Sequence, residues 1–171
     1  MSPGNGGWEI WVDTGGTFTD ALGRDPAGRL HRAKVLSSSA LRGTVEAVPA
    51  PDRLVVETPF SMPRDFPARF RFRLLRHRDP KEVPSVVRYD PAGRILSLDR
   101  PPEPAPRAGD PFELLCPDEA PVLAARLLTA SSPGAPLPVD RFRLATTLAT
   151  NTLLERKGVP AALVINEGLA D

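Results

Sequence analysis

Residues 13–20 read Asp13-Thr14-Gly15-Gly16-Thr17-Phe18-Thr19-Asp20, and the fold follows from how this octet joins its flanks. Upstream, Trp8, Ile10 and Val12 alternate with Glu9 and Trp11, the period of a short strand. Downstream, Thr17 to Gly23 has the same character. The paired glycines let the backbone turn sharply and bring N–H groups close to a ligand. Asp25-Pro26-Ala27-Gly28 then supplies turn chemistry, with Pro presetting φ and Gly accepting φ > 0. Arg29 to Leu36 reads as a third strand. The chain therefore opens as a three-stranded antiparallel meander.

The octet also carries chemistry. A nest of amides flanked by the hydroxyls of Thr14, Thr17 and Thr19 suits phosphate oxygens. Asp13, at a strand end, can hold a Mg²⁺-bound water. Asp20, on the return strand, can pair with a cation, cap a turn or orient a substrate. A plain Gly-Gly hairpin with solvated threonines is the competing account. Acids at both ends of the octet weigh toward phosphate binding.

Outward from the meander, Ser37 to Val48 predicts a short helix, capped by Ser38 or Ser39 and stopped by Pro49 and Pro51. Between about 52 and 116 the pattern changes. Leu54–Glu57, Phe70–Leu75, Val86–Tyr89, Ile95–Leu98 and Phe112–Cys116 read as short strands between Pro- and Gly-rich turns, the pattern of a small sandwich or barrel. Asp90-Pro91-Ala92-Gly93 reads as the earlier turn used a second time. Within this block Arg and Phe alternate from Arg69 to Arg73. Period 2 puts Phe on one face and Arg on the other, which favours a half-buried strand with a solvated cationic face over a nucleic-acid platform. Asp118 to Ala130 predicts a helix, with Asp118 as cap and Pro121 in its first turn. Phe142–Ala145 predicts a strand, Thr147–Lys157 a helix ended by Gly158, and Ala161–Ile165 a further strand. Without the middle block the order is β-β-β-α-β-α-β, which suits a mixed α/β sheet entered through right-handed crossovers.

The second chemical stretch is Thr146-Thr147-Leu148-Ala149-Thr150-Asn151-Thr152-Leu153-Leu154-Glu155-Arg156-Lys157-Gly158. It runs from a strand end into a helix start, where free N–H groups and the positive end of the dipole lie. Thr146, Thr147, Thr150 and Asn151 can bind a carbonyl or a phosphorylated species there. Ordinary capping by Thr146 or Thr147, with Thr150 and Asn151 merely exposed, explains the pattern slightly better.

Both stretches resemble one family. The octet resembles the first phosphate-binding turn of the actin- and hexokinase-like ATPase superfamily, in the spelling of its hydantoinase A/5-oxoprolinase branch. Lys34-Val35-Leu36-Ser37 is placed as in that family, and residues 146–158 are similar to its Thr-Thr-x-Ala-Thr-Asn-x-Leu-Leu-Glu-Arg-Lys-Gly signature. The resemblance covers residues 8–37 and 118–171. It implies a partial ribonuclease H-like (actin-like ATPase) domain over 8–50 and 117–171, with 51–116 as an inserted small all-β module. It implies ATP-dependent hydrolysis of a cyclic amide such as 5-oxoproline or a hydantoin, with ATP and Mg²⁺ as cofactors. Asp13, Asp20 and Asn151 would be catalytic, with Asp13 also at the metal. Thr14, Gly15, Gly16, Thr17 and Thr19 would bind the nucleotide phosphates, and Thr146, Thr147, Thr150 and Asn151 the substrate. The implied partners are a C-terminal ATPase half and a hydantoinase B-type subunit, so the isolated chain is expected to be inactive. The competing expectation is a non-catalytic assembly module that docks on a separate hydantoinase subunit. Two stretches depart from the family pattern: Ala145 replaces a Gly, and Asn166-Glu167-Gly168-Leu169 replaces Thr-Arg-Gly-Phe.

The bulk properties narrow the remaining classes. Across 171 residues, 22 basic and 21 acidic side chains leave a net charge of +1, which gives no electrostatic reason to expect nucleic acid or an anionic membrane as partner. No apolar run approaches a membrane span. Met1 to Gly7 lacks the basic and apolar regions of a signal peptide, so the expected location is the cytoplasm. The single cysteine, Cys116, follows an apolar run and is expected to be a buried core thiol.

Overall fold

The computed structural model describes residues 6–76 and 83–156, together with residues 158, 160, 162 and 164. The meander is present as β1 (Trp8–Thr14), β2 (Phe18–Arg24) and β3 (Leu30–Leu36), paired antiparallel in sequence order. The first Asp-Pro-Ala-Gly turn joins β2 to β3 as its residues dictate. Gly28 takes φ +84°, its N–H donates to the Asp25 carbonyl at 2.8 Å, and the Asp25 carboxylate accepts from the Arg29 N–H and from the Arg29 and His31 side chains. Those contacts, His31 foremost, hold the Asp25 carboxyl below the usual carboxylate range. A fourth strand, β10 (Val139–Thr146), lies parallel to β1 on its other side, giving the sheet order β10-β1-β2-β3.

One face of this sheet is covered by helix α1 (Ala120–Thr129). Ile10, Val12, Ala21 and Val35 point toward it, and Leu123, Ala124 and Ala125 are fully buried against them. Gly23 permits the close approach: a Cβ there would lie 3.1 Å from both Leu128 and the Trp8 ring. The helix spans β1 to β3 and leaves Phe142 and Leu144 of β10 exposed. Its N-cap is Glu119, with no side-chain capping bond. Asp118, expected as the cap, instead pairs with Arg126, a nearly buried guanidinium that also donates to the Ser132 and Ala135 carbonyls. A buried cation needs a counter-charge more than the helix end needs a cap, because an unpaired interior charge costs several kcal/mol and a missing cap about 1 kcal/mol.

The predicted helix over Ser37–Val48 is not formed. Ser39 adopts φ 57°, its N–H closing a turn onto the Leu36 carbonyl, and the chain then runs as an 11-residue strand, β4 (Ala40–Ala50). The reason is tertiary. β4 pairs with β9 (Pro111–Leu115) on one side and β5 (Arg53–Glu57) on the other, and its β-branched Thr44, Val45 and Val48 suit a pleated, half-buried surface. With β6 (Arg71–Leu74), β7 (Val86–Asp90) and β8 (Ile95–Leu98), these strands form a sheet of order β6-β9-β4-β5-β8-β7.

That second sheet closes on itself. The Phe72 N–H donates to the Pro84 carbonyl, the Val86 N–H to Phe70 and the Arg69 N–H to Val86, each at 2.8 Å, so the two end strands join into a six-stranded barrel from Ala40 to Leu115. Closure removes the exposed edges that an open sheet would present. Phe70, Phe72 and Phe112 fill the interior with Leu54, Leu96 and Leu114, while Phe66 and Met62 plug it from the β5–β6 connection. Each such burial contributes roughly 1.5–3 kcal/mol. The alternation from Arg69 to Arg73 resolves as expected from period 2. Phe70 and Phe72 are inside, Arg71 is exposed, and Arg73 pairs across the strand with Glu113 at 2.5 Å. Burial pushes the Glu113 carboxyl up, but bonds from Arg73 and Arg42 outweigh it and hold the group ionised.

The second Asp-Pro-Ala-Gly stretch does not repeat the first turn. Gly93 has no positive φ, and Arg94 takes the left-handed position (φ 53°), fixed by its guanidinium on Glu46 and by its carbonyl accepting from the Val56 N–H. The strand predicted over Ala161–Ile165 and the Asn166–Leu169 stretch lie wholly or largely outside the described residues. No helix among the described residues is long and apolar enough to cross a membrane.

Candidate functional site

β1 and β10 run parallel, so their carboxyl ends meet at one end of the sheet, and the two chemical stretches meet with them. The register pairs Asp13 with Ala145 and Thr14 with Thr146. From Thr146 the chain passes directly into helix α2 (Leu148–Glu155), whose N-cap is Thr147. The Thr147 N–H and the Thr146 hydroxyl both donate to the Thr14 carbonyl, at 3.2 and 3.3 Å. Asn151 reaches over the turn: a Cβ on Gly16 would lie 3.4 Å from its Nδ2. Open ends of parallel strands, beside a helix N-terminus, are where ligands bind in α/β sheets.

The glycines serve closeness, not handedness. Neither has positive φ, but the Gly15 N–H donates to the Phe18 carbonyl at 2.9 Å and a Cβ on Gly15 would stand 3.2 Å from that same oxygen. Gly16 and Thr17 are exposed at the tip. The Thr14 hydroxyl oxygen is buried and has no partner among the described residues.

Three expected roles are modified by burial and pairing. Thr19 is fully buried and its hydroxyl meets Ser37 Oγ at 3.1 Å, so it does not face a ligand as expected of a phosphate-binding group. Its side chain alternates to the α1 side of β2, which leaves it as a support for the turn. Asp20 lies directly across from Asp13, but Lys34 Nζ holds its carboxylate at 3.0 and 3.1 Å, so cation pairing is the role it takes. Thr147 occupies the N-cap without a side-chain capping bond, and its hydroxyl accepts instead from Asn151 Nδ2 at 3.4 Å. The α2 first-turn amides are therefore not claimed by a cap. Thr146, Thr147 and Thr150 are exposed beside Asn151. Helix α2 ends at Arg156, in the left-handed conformation, rather than at Gly158.

Ser37 is the residue whose role sequence reasoning missed. Its hydroxyl donates to the Gly15 carbonyl at 2.8 Å, and its N–H donates to the Thr17 carbonyl at 2.9 Å. Its one proton is committed to Gly15, so Thr19 is the donor in the Thr19–Ser37 bond. Ser37 thus ties both sides of the glycine turn to the end of β3. The Lys34–Ser37 stretch resembles the family's, but a serine 22 residues from Gly15 carries no local sign of that contact.

Asp13 is exposed, with no ion pair among the described residues. It opens onto the sheet face that α1 does not cover, in a cleft of about 810 Å³ shared with Asp20, Lys34, Trp11 and Ala145. Ala145 is the register neighbour of Asp13, so the methyl group that replaces the family's hydrogen sits beside that carboxylate. Among the described residues no group of three or more His, Cys, Asp or Glu side chains is placed to cage a metal.

A family model described as the hydantoinase/oxoprolinase N-terminal region matches residues 9–54 and 117–171, more than half of the chain. No curated protein and no solved structure matches it.

Proposed function

Because the chain belongs to the hydantoinase/oxoprolinase N-terminal region family, whose activity is cyclic-amide hydrolysis, we propose that it supplies the phosphate-binding half of an ATP-dependent cyclic-amide hydrolase. The observation that carries this reading is the convergence of two separate stretches: the Thr14–Thr17 turn and the start of α2 share one end of the sheet, with Asn151 against Gly16.

An amide carbonyl is a poor electrophile because nitrogen donates into it. Transfer of the γ-phosphoryl group to the amide oxygen forms an O–P bond, breaks the bond to ADP and leaves a carbon that water attacks. The ring C–N bond then opens, its nitrogen taking a proton, and a second water cleaves the resulting acyl phosphate to carboxylate and phosphate. Such transfer depends on positioning and charge neutralisation. The amides of Gly16 and Thr17 cradle the nucleotide's terminal phosphates, while the Gly15 N–H holds the turn on the Phe18 carbonyl. The orphaned Thr14 hydroxyl, close to the same turn, supplies one more polar group. Asn151, Thr147 and Thr150 face the amide substrate, with the α2 N-terminus favouring negative charge there. Mg²⁺ neutralises phosphate charge when bound. It takes one or two carboxylates and completes its shell with water and phosphate oxygens. The Asp13 carboxylate, without an ion pair among the described residues, fits that demand better than Asp20, which Lys34 occupies.

The test is a backbone amide NMR titration with Mg-ATP, which registers weak binding by a half-site. Shifts are expected at Gly15, Gly16 and Thr17 and at residues 148–151 together, and they should be lost in Gly16→Val. Saturable shifts confined to the barrel, or none up to about 10 mM nucleotide, would overturn the reading.

A further inference from the structure

Away from the glycine turn, the barrel carries a cationic cleft on its outer face. Register places Arg53 of β5 opposite Ser97 of β8, and Ser97 opposite Arg88 of β7. The three side chains therefore form one row across three adjacent strands, with a hydroxyl between two guanidiniums. Neighbouring strands are about 4.8 Å apart, so the two arginine backbones stand about 10 Å from each other. Both side chains project outward, because Leu54, Leu96, Leu98 and Tyr89 beside them take the barrel interior. The next row holds Ile95 opposite Asp90, and Asp90 is already neutralised by Arg64 at 2.7 Å. These residues and exposed Val87 line a cleft of about 500 Å³.

The charge balance is what sets this cleft apart. Three guanidiniums face one carboxylate in a chain whose net charge is only +1. Elsewhere on the barrel Arg42, Arg73, Arg76 and Arg94 each meet an acid. Among the described residues neither Arg53 nor Arg88 has an ion pair or hydrogen bond from its side chain. Two exposed guanidiniums flanking one serine leave room for an anion to bridge them. Guanidinium forks match phosphate oxygens in pairs, and a serine hydroxyl adds a donor at the centre.

We propose that the Arg53–Ser97–Arg88 row is a binding site for a small organic phosphate. The phosphate bridges the two guanidiniums over Ser97 Oγ, and the organic body lies along Val87 and Ile95. The cleft is larger than inorganic phosphate needs and falls within the range of small-molecule sites. The site is independent of the glycine turn and of the function proposed for it.

Arginine side-chain Nε–H signals of the ¹⁵N-labelled chain provide the test, titrated with pyrophosphate and with glycerol 3-phosphate at about 0.1 M salt. The Arg53 and Arg88 signals are expected to shift together and saturate at about 1 mM. Arg53→Gln with Arg88→Gln, read at the backbone amides of Val87 and Ser97 because the variant lacks both Nε–H signals, is expected to weaken binding at least about tenfold, and Ser97→Ala to weaken it less. Both arginines are exposed, so the double variant keeps the barrel core. Gly16→Val leaves these shifts unchanged, which separates this site from the nucleotide turn. No saturable shift by about 20 mM, or shifts undiminished in the double variant, overturns the proposal. A response to a polyglutamate peptide but to neither phosphate also overturns it and assigns the cleft to an acidic protein partner.

Discussion

Single residues at the glycine turn divide into those that face a ligand and those that hold the ones that do. Asp13 and Gly16 are exposed, while Thr19 and Ser37 form the support behind them. Replacing Ser37 with Ala removes the donor to the Gly15 carbonyl and strands the buried Thr19 hydroxyl. The expected loss is about 1–3 kcal/mol in urea unfolding, the range for an unsatisfied buried polar group. Amide exchange at Gly15–Thr17 is expected to quicken by more than the global change explains. Unchanged exchange at the turn would show that β1 and β2 hold it without Ser37. The octet's turn and its acids were legible because local spacing sets them. The buried state of Thr19 was legible in principle from its alternation with Phe18 and Asp20. Its partner was not, because that bond depends on where β3 ends.

At the scale of elements, strands with clear alternation stand where the sequence puts them, to within a residue or three at their ends. β4 is the element that local reasoning misread. Its residues make a tolerable short helix, and only pairing with β5 and β9 decides against it. Gly43 gives a direct test. In a helix, Gly→Ala stabilises by up to about 1 kcal/mol. In β4 a Cβ at this position meets the Phe112 ring and the Glu57 carbonyl at 2.6 Å, and such overpacking costs about 1–3 kcal/mol. Gly43→Ala is therefore expected to lower the urea midpoint, and a raised midpoint would contradict the strand. The two Asp-Pro-Ala-Gly stretches make the same point for turns. Identical residues produce Gly28 at positive φ in one and Arg94 in the other, because Glu46 and Val56 hold Arg94.

For the molecule as a whole, the barrel leaves and rejoins the mixed sheet through one doorway: Ser39 enters β4, Cys116 leaves β9, and the Cys116 N–H donates to the Ser39 carbonyl at 2.9 Å. Burial pushes the Cys116 thiol up to about 11. Since the thiolate is the nucleophile, alkylation by iodoacetamide is expected to be slow at pH 8 and to rise about tenfold per pH unit toward that value. Rapid labelling at pH 8 would mean that the doorway opens in the native state. The sequence by itself determined the meander, the strand content of the middle block, the helix after it and the two stretches that carry chemistry. These rest on side-chain period, turn residues and helix punctuation, all local along the chain. Only the tertiary structure decided that β4 is a strand, that six strands close into a barrel, that Thr19 is buried behind Ser37 and that Asn151 meets Gly16. Each of these is a contact between residues distant in sequence, and the free energy that selects it comes from burial and pairing that no short window contains.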